Sequence, residues 1–271
     1  MIEALDLDAY FSRIGYSGPR NATLKTLSAL HALHPAAIAF ENLDPLMHRP
    51  VLLDIASLQR KLIRRKRGGY CFEQNGLFAQ VLGALGFGVT TLAARVMMGR
   101  TAGNSRRSHM LLKVEMEEGA YIADVGFGGH APSAPLRLDT GEAQVTPHGA
   151  YRLARMGDYF ELQTMLDGEW KTLYRFSLEP QTQEDHEMAN WYISTHPDSE
   201  FTSRLIVARL LPGRRLGLFN NQFSVRHQDG TTERRELKSA EEIAHVLEIE
   251  FAIALPSPRE ELLAALARVI P

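Results

Sequence analysis

The rhythm of apolar positions changes near Gly88. Before it, apolar residues recur at helical spacing. Leu24, Leu27, Leu30 and Leu33 mark a helix that Asn21 can cap and that should stop before Pro35. Asp54 can cap a second helix carrying Leu58, Leu62 and Ile63, ended by the pair Gly68-Gly69. Cys71 opens a third, with Leu77, Phe78, Val81, Leu82 and Leu85 along it. Beyond Gly88 the texture becomes short β-like runs over 89–98, 110–116, 121–125, 151–155, 159–165 and 170–176, with Gly157-Asp158 and Asp167-Gly168 as turn signals between the last three. Consecutive short strands of this kind point to an antiparallel barrel or sandwich. A helical stretch over 184–195 leads to strands at 205–211 and 222–227, a turn at Asp229-Gly230, and two closing helices starting near Ser239 and near Ser257-Pro258. The expected class is α+β, without internal repeats or low-complexity linkers.

Composition narrows the function classes. At 271 residues the chain is one large domain or two to three small ones, and 45% hydrophobic content is enough for a sizeable core. Thirty basic residues against thirty-two acidic ones argue against a general nucleic-acid or anionic-membrane binder. No apolar run approaches the roughly 18 residues of a membrane span. The start, Met1-Ile2-Glu3-Ala4-Leu5-Asp6, lacks the basic-then-apolar pattern of a signal peptide, so a cytoplasmic, reducing location is expected.

That location suits the single cysteine, Cys71. One thiol makes no intramolecular disulfide and cannot hold zinc alone. It is either a buried small hydrophobe or a reactive group. Its setting, Arg67-Gly68-Gly69-Tyr70-Cys71-Phe72-Glu73-Gln74-Asn75-Gly76, favours the second: glycines allow close backbone approach, and a helix N-terminus favours a thiolate. A thiol nucleophile needs a base, and the base an orienting group. Of ten histidines, His109 begins an apolar strand, and Asp124 interrupts another. A carboxylate in such a run needs a partner. Glu117-Glu118-Gly119 reads as the hairpin between the two strands; if the loop holds an even number of residues, alternation places His109 and Asp124 on one face. His31 and His34 lie along a helix, His148 and His227 look like turn or surface positions, and His130, after a glycine run, is the one serious rival. The basic run 60–67 reads mainly as a solvated helix face and cationic C-terminal turn.

These residues resemble the arylamine N-acetyltransferase family. The matching motifs are the Arg67–Asn75 run, Ser108-His109, Asp124-Val125-Gly126-Phe127-Gly128-Gly129, Phe40-Glu41-Asn42-Leu43-Asp44, and Trp191-Tyr192-Ile193-Ser194-Thr195-His196-Pro197 with Phe201. The resemblance implies a cysteine-protease-like triad, with Cys71 as nucleophile, His109 as base and Asp124 as orienter. It implies a helical bundle over 1–87 carrying the nucleophile, a β-barrel over 88–180 carrying His109 and Asp124, an interdomain helix over 181–200 and an α/β lid over 201–271. It implies acetyl-CoA as co-substrate, no metal, and N- or O-acetylation of arylamines, arylhydrazines and arylhydroxylamines by a ping-pong route. Phe40, Val96, Phe127 and Phe201 match acceptor-pocket positions, and Gly126, Gly128 and Gly129 match the segment approaching the acyl group and CoA. Glu41 and Arg67 could pair, by default as a surface ion pair of little energetic weight. Ala39 stands where proline is frequent and Met98 where some relatives carry an aromatic.

The rival readings are an amide synthase closing macrolactams from a carrier-bound acyl donor, a papain-like thiol hydrolase, and a silent binder of aromatic amines or CoA. A homo-oligomer is compatible with all of them.

Overall fold

The computed structural model describes residues 4–99 and 106–271. Met1–Glu3, the head of the stretch read above for a signal peptide, lie outside the described residues. Helices come first: α1 (Leu7–Ile14), α2 (Leu24–Ala37), α3 (Leu43–Leu46), α4 (Ile55–Leu58) continuing as a π-helical stretch Gln59–Arg64, and α5 (Cys71–Ala84). The cap of α2 is Thr23, whose side chain accepts the Thr26 N–H. This helix runs through Pro35 instead of ending before it. Pro35 lies in the last turn, where its missing N–H costs one bond and the Ile38 N–H still closes on the His34 carbonyl at 2.8 Å. Asp54 caps α4 as expected, with Oδ1 accepting the Ser57 N–H at 2.9 Å. Gly68-Gly69, however, is no helix terminator. The π stretch ends at Arg65 and Lys66, which takes the positive φ of 49°. Gly68 serves close approach instead, since a Cβ there would stand 2.2 Å from the Ala39 carbonyl oxygen.

The first turns of α5 are buried on every side: Cys71, Phe72, Glu73, Gln74 and Asn75 are at most 5% exposed. The helix lies between the α1–α4 layer and the outer face of an eight-stranded antiparallel sheet. Its strands are β1 (Gly88–Val96), β2 (Arg107–Met116), β3 (Gly119–Ala123), β4 (Leu136–Arg137), β5 (Gln144–Thr146), β6 (Gly149–Met156), β7 (Tyr159–Leu166) and β8 (Glu169–Phe176). In the order β4-β3-β2-β1-β8-β7-β6-β5, they curl into a nearly closed barrel. Leu92, Leu111, Ile122, Leu153, Leu162 and Leu173 fill the inside. Met110, Leu112, Val114 and Ala123 face outward onto Leu77, Phe78 and Val81 of α5. Strand β2 is thus covered on both faces, which is why 110–112 reads as a continuous apolar run. The predicted turns Gly157-Asp158 and Asp167-Gly168 are two-residue hairpin loops, closed by the pairs Met156–Tyr159 and Leu166–Glu169.

Helix α6 (Gln183–Thr195) follows, capped by Thr182. A four-stranded antiparallel sheet then runs β12-β11-β10-β9, from β9 (Ile206–Leu211), β10 (Arg214–Phe219), β11 (Gln222–His227) and β12 (Thr232–Glu236). Strands β10 and β12 were not expected, because Arg214-Arg215 and the polar, exposed 232–236 carry little strand signal. Helices α7 (Ala240–Ile249) and α8 (Arg259–Ala267) cover the sheet, and Leu43 and Leu46 of α3 enter the same core. Phe40 stitches the parts together, bridged to Gly69 on one side and Ala208 on the other.

Candidate active site

Cys71 is the first residue of α5, 5% exposed, with Sγ 3.7 Å from the Ser108 carbonyl oxygen. The β2–β3 hairpin supplies its neighbours. Met116 pairs with Gly119, so the loop is the even pair Glu117-Glu118. Continuing that register sets Asp124 opposite Leu111, on the face that His109 shares, one residue beyond β3. His109 Nε2 and Asp124 Oδ2 meet at 2.7 Å, both side chains at most 3% exposed. Burial pulls the imidazole down, but the Asp124 carboxylate and the hydrogen bond to Cys71 outweigh it and hold His109 well above its ordinary pKa. Burial pushes Asp124 up, and the His109 charge, Asn75 and the Gly126 N–H overcome that and hold it low. The hairpin therefore carries an imidazolium–carboxylate pair directly beside the thiol.

A family model described as N-acetyltransferase matches residues 23–260. The arylamine N-acetyltransferases of Escherichia coli (strain K12) and Mycobacterium bovis are 42% and 44% identical to the chain, over 92% of it and 89% and 90% of their own lengths. The solved Mycobacterium marinum arylamine N-acetyltransferase in complex with CoA matches with a TM-score of 0.94 at 40% identity, over 98% of this chain and all of that one. The chain belongs to the arylamine N-acetyltransferase family. It is an acyltransferase.

Three residues that sequence reasoning passed over complete the arylamine N-acetyltransferase site. Asn75 Nδ2 donates to Asp124 Oδ1 at 2.9 Å and to the Met110 carbonyl at 2.7 Å, while its Oδ1 accepts the Val125 N–H at 3.0 Å. Tyr174 donates its hydroxyl to Asp124 Oδ2 at 2.9 Å. His31 Nε2 accepts the Asp124 N–H at 3.0 Å. A signal existed for two of them. Asn75 stands four residues from Cys71, on the same helix face. Leu27, Leu30, His31 and His34 follow the i, i+3, i+4, i+7 rule of a buried stripe. For Tyr174 no local pattern was available.

The candidate pocket residues fall into two groups. Phe127 packs edge-on to His109 and Tyr174, with ring centroids 5.0 Å away in each case, and Val96 pairs with Tyr174 across β1–β8. Phe40 and Phe201 meet each other at 6.2 Å, and Gly128 lies against the Phe40 ring. Gly126 is pressed onto the nucleophile's own residue: a Cβ there would lie 2.9 Å from Cys71 Cα and 2.7 Å from Asn75 Nδ2. Gly129 offers its carbonyl to Arg215 Nη1 at 2.5 Å. The rival His130 sits in the turn Gly128–His130, where burial and then Arg215 and Arg226 push it down to about 4.

Two expectations are corrected. Glu41 and Arg67 are buried, not a surface pair: Glu41 Oε1 takes Arg67 Nε at 2.9 Å and Nη2 at 2.8 Å. The basic run is only partly solvated. Arg60, Arg64, Arg65 and Lys66 are exposed, but Lys61 turns inward to Asp44 and Glu73, at 2.6 Å each. Among the described residues, no group of three or more His, Cys, Asp or Glu is arranged to hold a metal, and no helix is long and apolar enough to cross a membrane.

Proposed function

We propose that this acyltransferase moves the acetyl group of acetyl-CoA to arylamines and arylhydrazines, and to the oxygen of arylhydroxylamines, by a ping-pong route through an acetyl thioester on Cys71. The observation that carries the reading is the buried His109–Asp124 pair beside a thiol at the first turn of α5. The relatives' names supply the substrate class, and the CoA complex of the Mycobacterium marinum protein supplies the donor. In this reading Cys71, His109 and Asp124 form a cysteine-protease-like triad. His109 Nδ1 holds the proton that Sγ has given up, because Nε2 is engaged with Asp124, so the resting site is a thiolate–imidazolium pair. The thiolate attacks the acetyl carbonyl carbon, and the oxyanion is met by N–H groups of the α5 N-terminus, that of Cys71 among them. Collapse expels the CoA thiolate, which takes the proton back from the imidazolium. The amine then attacks the thioester, passes a proton to His109 and leaves as the amide, restoring the thiolate–imidazolium pair.

Phe127 and Val96, with Phe40 and Phe201, line the acceptor side, and apolar walls keep water from the thioester. Gly126, Gly128 and Gly129 leave room for the acyl group and the donor's arm. Next to Gly129 and His130 lies a groove of about 460 Å³ lined by Arg214, Arg215, Arg226 and Arg234, a match for a donor that carries several phosphate charges. The division into a helical bundle (1–87), barrel (88–180), connecting helix (181–200) and α/β lid (201–271) belongs to the same reading, as do a cytoplasmic location and a single reduced thiol. The separate apolar cores inside the barrel and beneath α7–α8 support it.

Intact-mass measurement after mixing with acetyl-CoA tests the route. The expected result is one acetyl adduct, absent in Cys71→Ala and discharged by aniline or a hydrazine. No adduct on the wild type, or peptide cleavage without transfer to amine, would overturn it.

A further inference from the structure

Three of the first five side chains of α5 are polar and buried: Asn75 holds Asp124, Gln74 binds His34 and the Ile38, Ala39 and Gly69 carbonyls, and Glu73 turns to Lys61. Residues two apart on a helix point to opposite sides, so Glu73 faces away from the thiol and cannot touch the reacting atoms. It holds the turn that carries the thiol. Its Oε2 accepts the Tyr70 N–H at 3.1 Å, closing the N-terminus of α5, and its Oε1 takes Lys61 Nζ at 2.6 Å. Lys61 reaches on to Asp44 at 2.6 Å, Asp44 to Arg67 at 3.1 Å, and Arg67 to Glu41 at 2.8 Å. The chain of charges thus ties the catalytic helix to α3, the π stretch and the segment before Gly68. Gly69 makes room for it, since a Cβ there would lie 2.7 Å from Glu73 Oε2.

We propose that Glu73 is a positioning residue for the nucleophile: its carboxylate, clamped between the Tyr70 N–H and the Lys61 ammonium, fixes the first turn of α5 and the aim of Cys71 Sγ at His109. The proposal rests on Cys71 being the acylated residue. The groups facing Glu73 are Lys61 from the π stretch, Asp44 from α3, Glu41 and Arg67 from the flanking segments, and Tyr70 from its own turn. Three carboxylates share two cations, so one negative charge is left uncompensated. Burial pushes the Glu73 carboxyl up, Lys61 opposes, and Asp44 and Glu41 add to the rise, to about 7. Glutamine copies the shape of the protonated carboxyl without its ionisation. Glu73→Gln should therefore behave at every pH as the wild type does in acid.

The test is single-turnover acylation of Cys71 by acetyl-CoA, wild type against Glu73→Gln, between about pH 5.5 and 8.5. The rate ratio should be near one at the acid end and rise through about pH 7 to about tenfold, within what a misaimed reacting group costs. A ratio below about twofold throughout, or one that does not change with pH, overturns the proposal. If Glu73→Gln does not fold, Lys61→Met must give the same rising ratio, because loss of the Lys61 charge pushes the Glu73 carboxyl up further; a flat ratio there overturns it equally. Absence of any adduct on the wild type refutes the Cys71 assignment, whereas a normal adduct with a flat ratio refutes only the role of Glu73.

Discussion

Helix α2 and strand β2 each carry buried histidines, and burial has opposite outcomes in the two. In α2, His34 bridges the Tyr10 hydroxyl at 2.9 Å and Gln74 Oε1 at 2.6 Å, and His31 accepts the Asp124 N–H. No carboxylate pairs with either ring, so burial pushes His31 down to about 4 and His34 to about 3. In β2, His109 is equally inaccessible, yet its contact with Asp124 holds the ring charged. The two regions meet at Asp124, whose carboxylate binds the charged ring and whose N–H binds a neutral one. Depth of burial does not decide what a histidine does. The group opposite it decides.

The sharpest way to break this contrast is Asp124→Asn, which leaves a buried imidazole without its charge partner. Acylation of Cys71 should fall about a thousandfold, and the His109 ring should titrate lower in an NMR titration. A variant acylated within tenfold of wild type would mean that Asp124 does not set the state of His109. Next in size is His34→Leu, which strands Tyr10 OH and one lone pair of Gln74. Denaturant unfolding should show a loss of about 2–4 kcal/mol, with acylation per folded molecule changed by less than about threefold; a large loss of acylation would erase the distinction between the regions.

The acid limb of stability sharpens the contrast further. A histidine whose folded pKa is depressed is protonated first in the unfolded chain, so its stabilisation is lost as pH falls below about 6.5. The His109–Asp124 pair behaves otherwise. The raised imidazole contributes fully below its unfolded pKa and is lost only as pH rises through the folded value, while the lowered carboxyl is lost only as pH falls below the ordinary carboxylate range. The α2 histidines should therefore pull the unfolding free energy down between pH 6.5 and 4, with His34 contributing about 2 kcal/mol by pH 5. Glu73, raised to about 7, acts in the opposite sense over the same interval. The decisive quantity is thus the difference in slope between wild type and His34→Leu; equal slopes would show that His34 is charged in the folded state. The smallest effect belongs to Tyr174→Phe, which removes one of several hydrogen bonds to Asp124. About 1 kcal/mol of stability and less than tenfold in rate should be lost, and a larger loss in chemical denaturation would give Tyr174 a greater share in holding the carboxylate.

What was legible in the chain was what short-range rules govern. The hairpin that brings His109 and Asp124 to one face follows from a two-residue loop and strand alternation. The turns at Gly157 and Asp167 follow from residues that tolerate positive φ. The start of α5 at Cys71 follows from its apolar spacing. Other features were illegible for equally physical reasons. Strand β12 lies at a sheet edge with exposed side chains, so no apolar alternation marks it. Pro35 looked like a stop because the rule for helix interiors does not apply in a last turn. Glu41 and Arg67 looked like a surface pair because charge is usually solvated; their burial depends on Asp44, Lys61 and Glu73, which only folding brings within reach.

By itself, then, the sequence determined that a lone thiol opens a helix, that a histidine and an aspartate share a strand-pair face, and that the motifs around them resemble one family. Only the tertiary structure decided that those two sites touch. Cys71 and His109 lie on different elements, and they meet because the start of β2 is laid against the first turn of α5, with the Ser108 carbonyl 3.7 Å from Cys71 Sγ. The same packing decided which histidine is charged, since a pKa depends on the groups gathered around it and not on its neighbours along the chain.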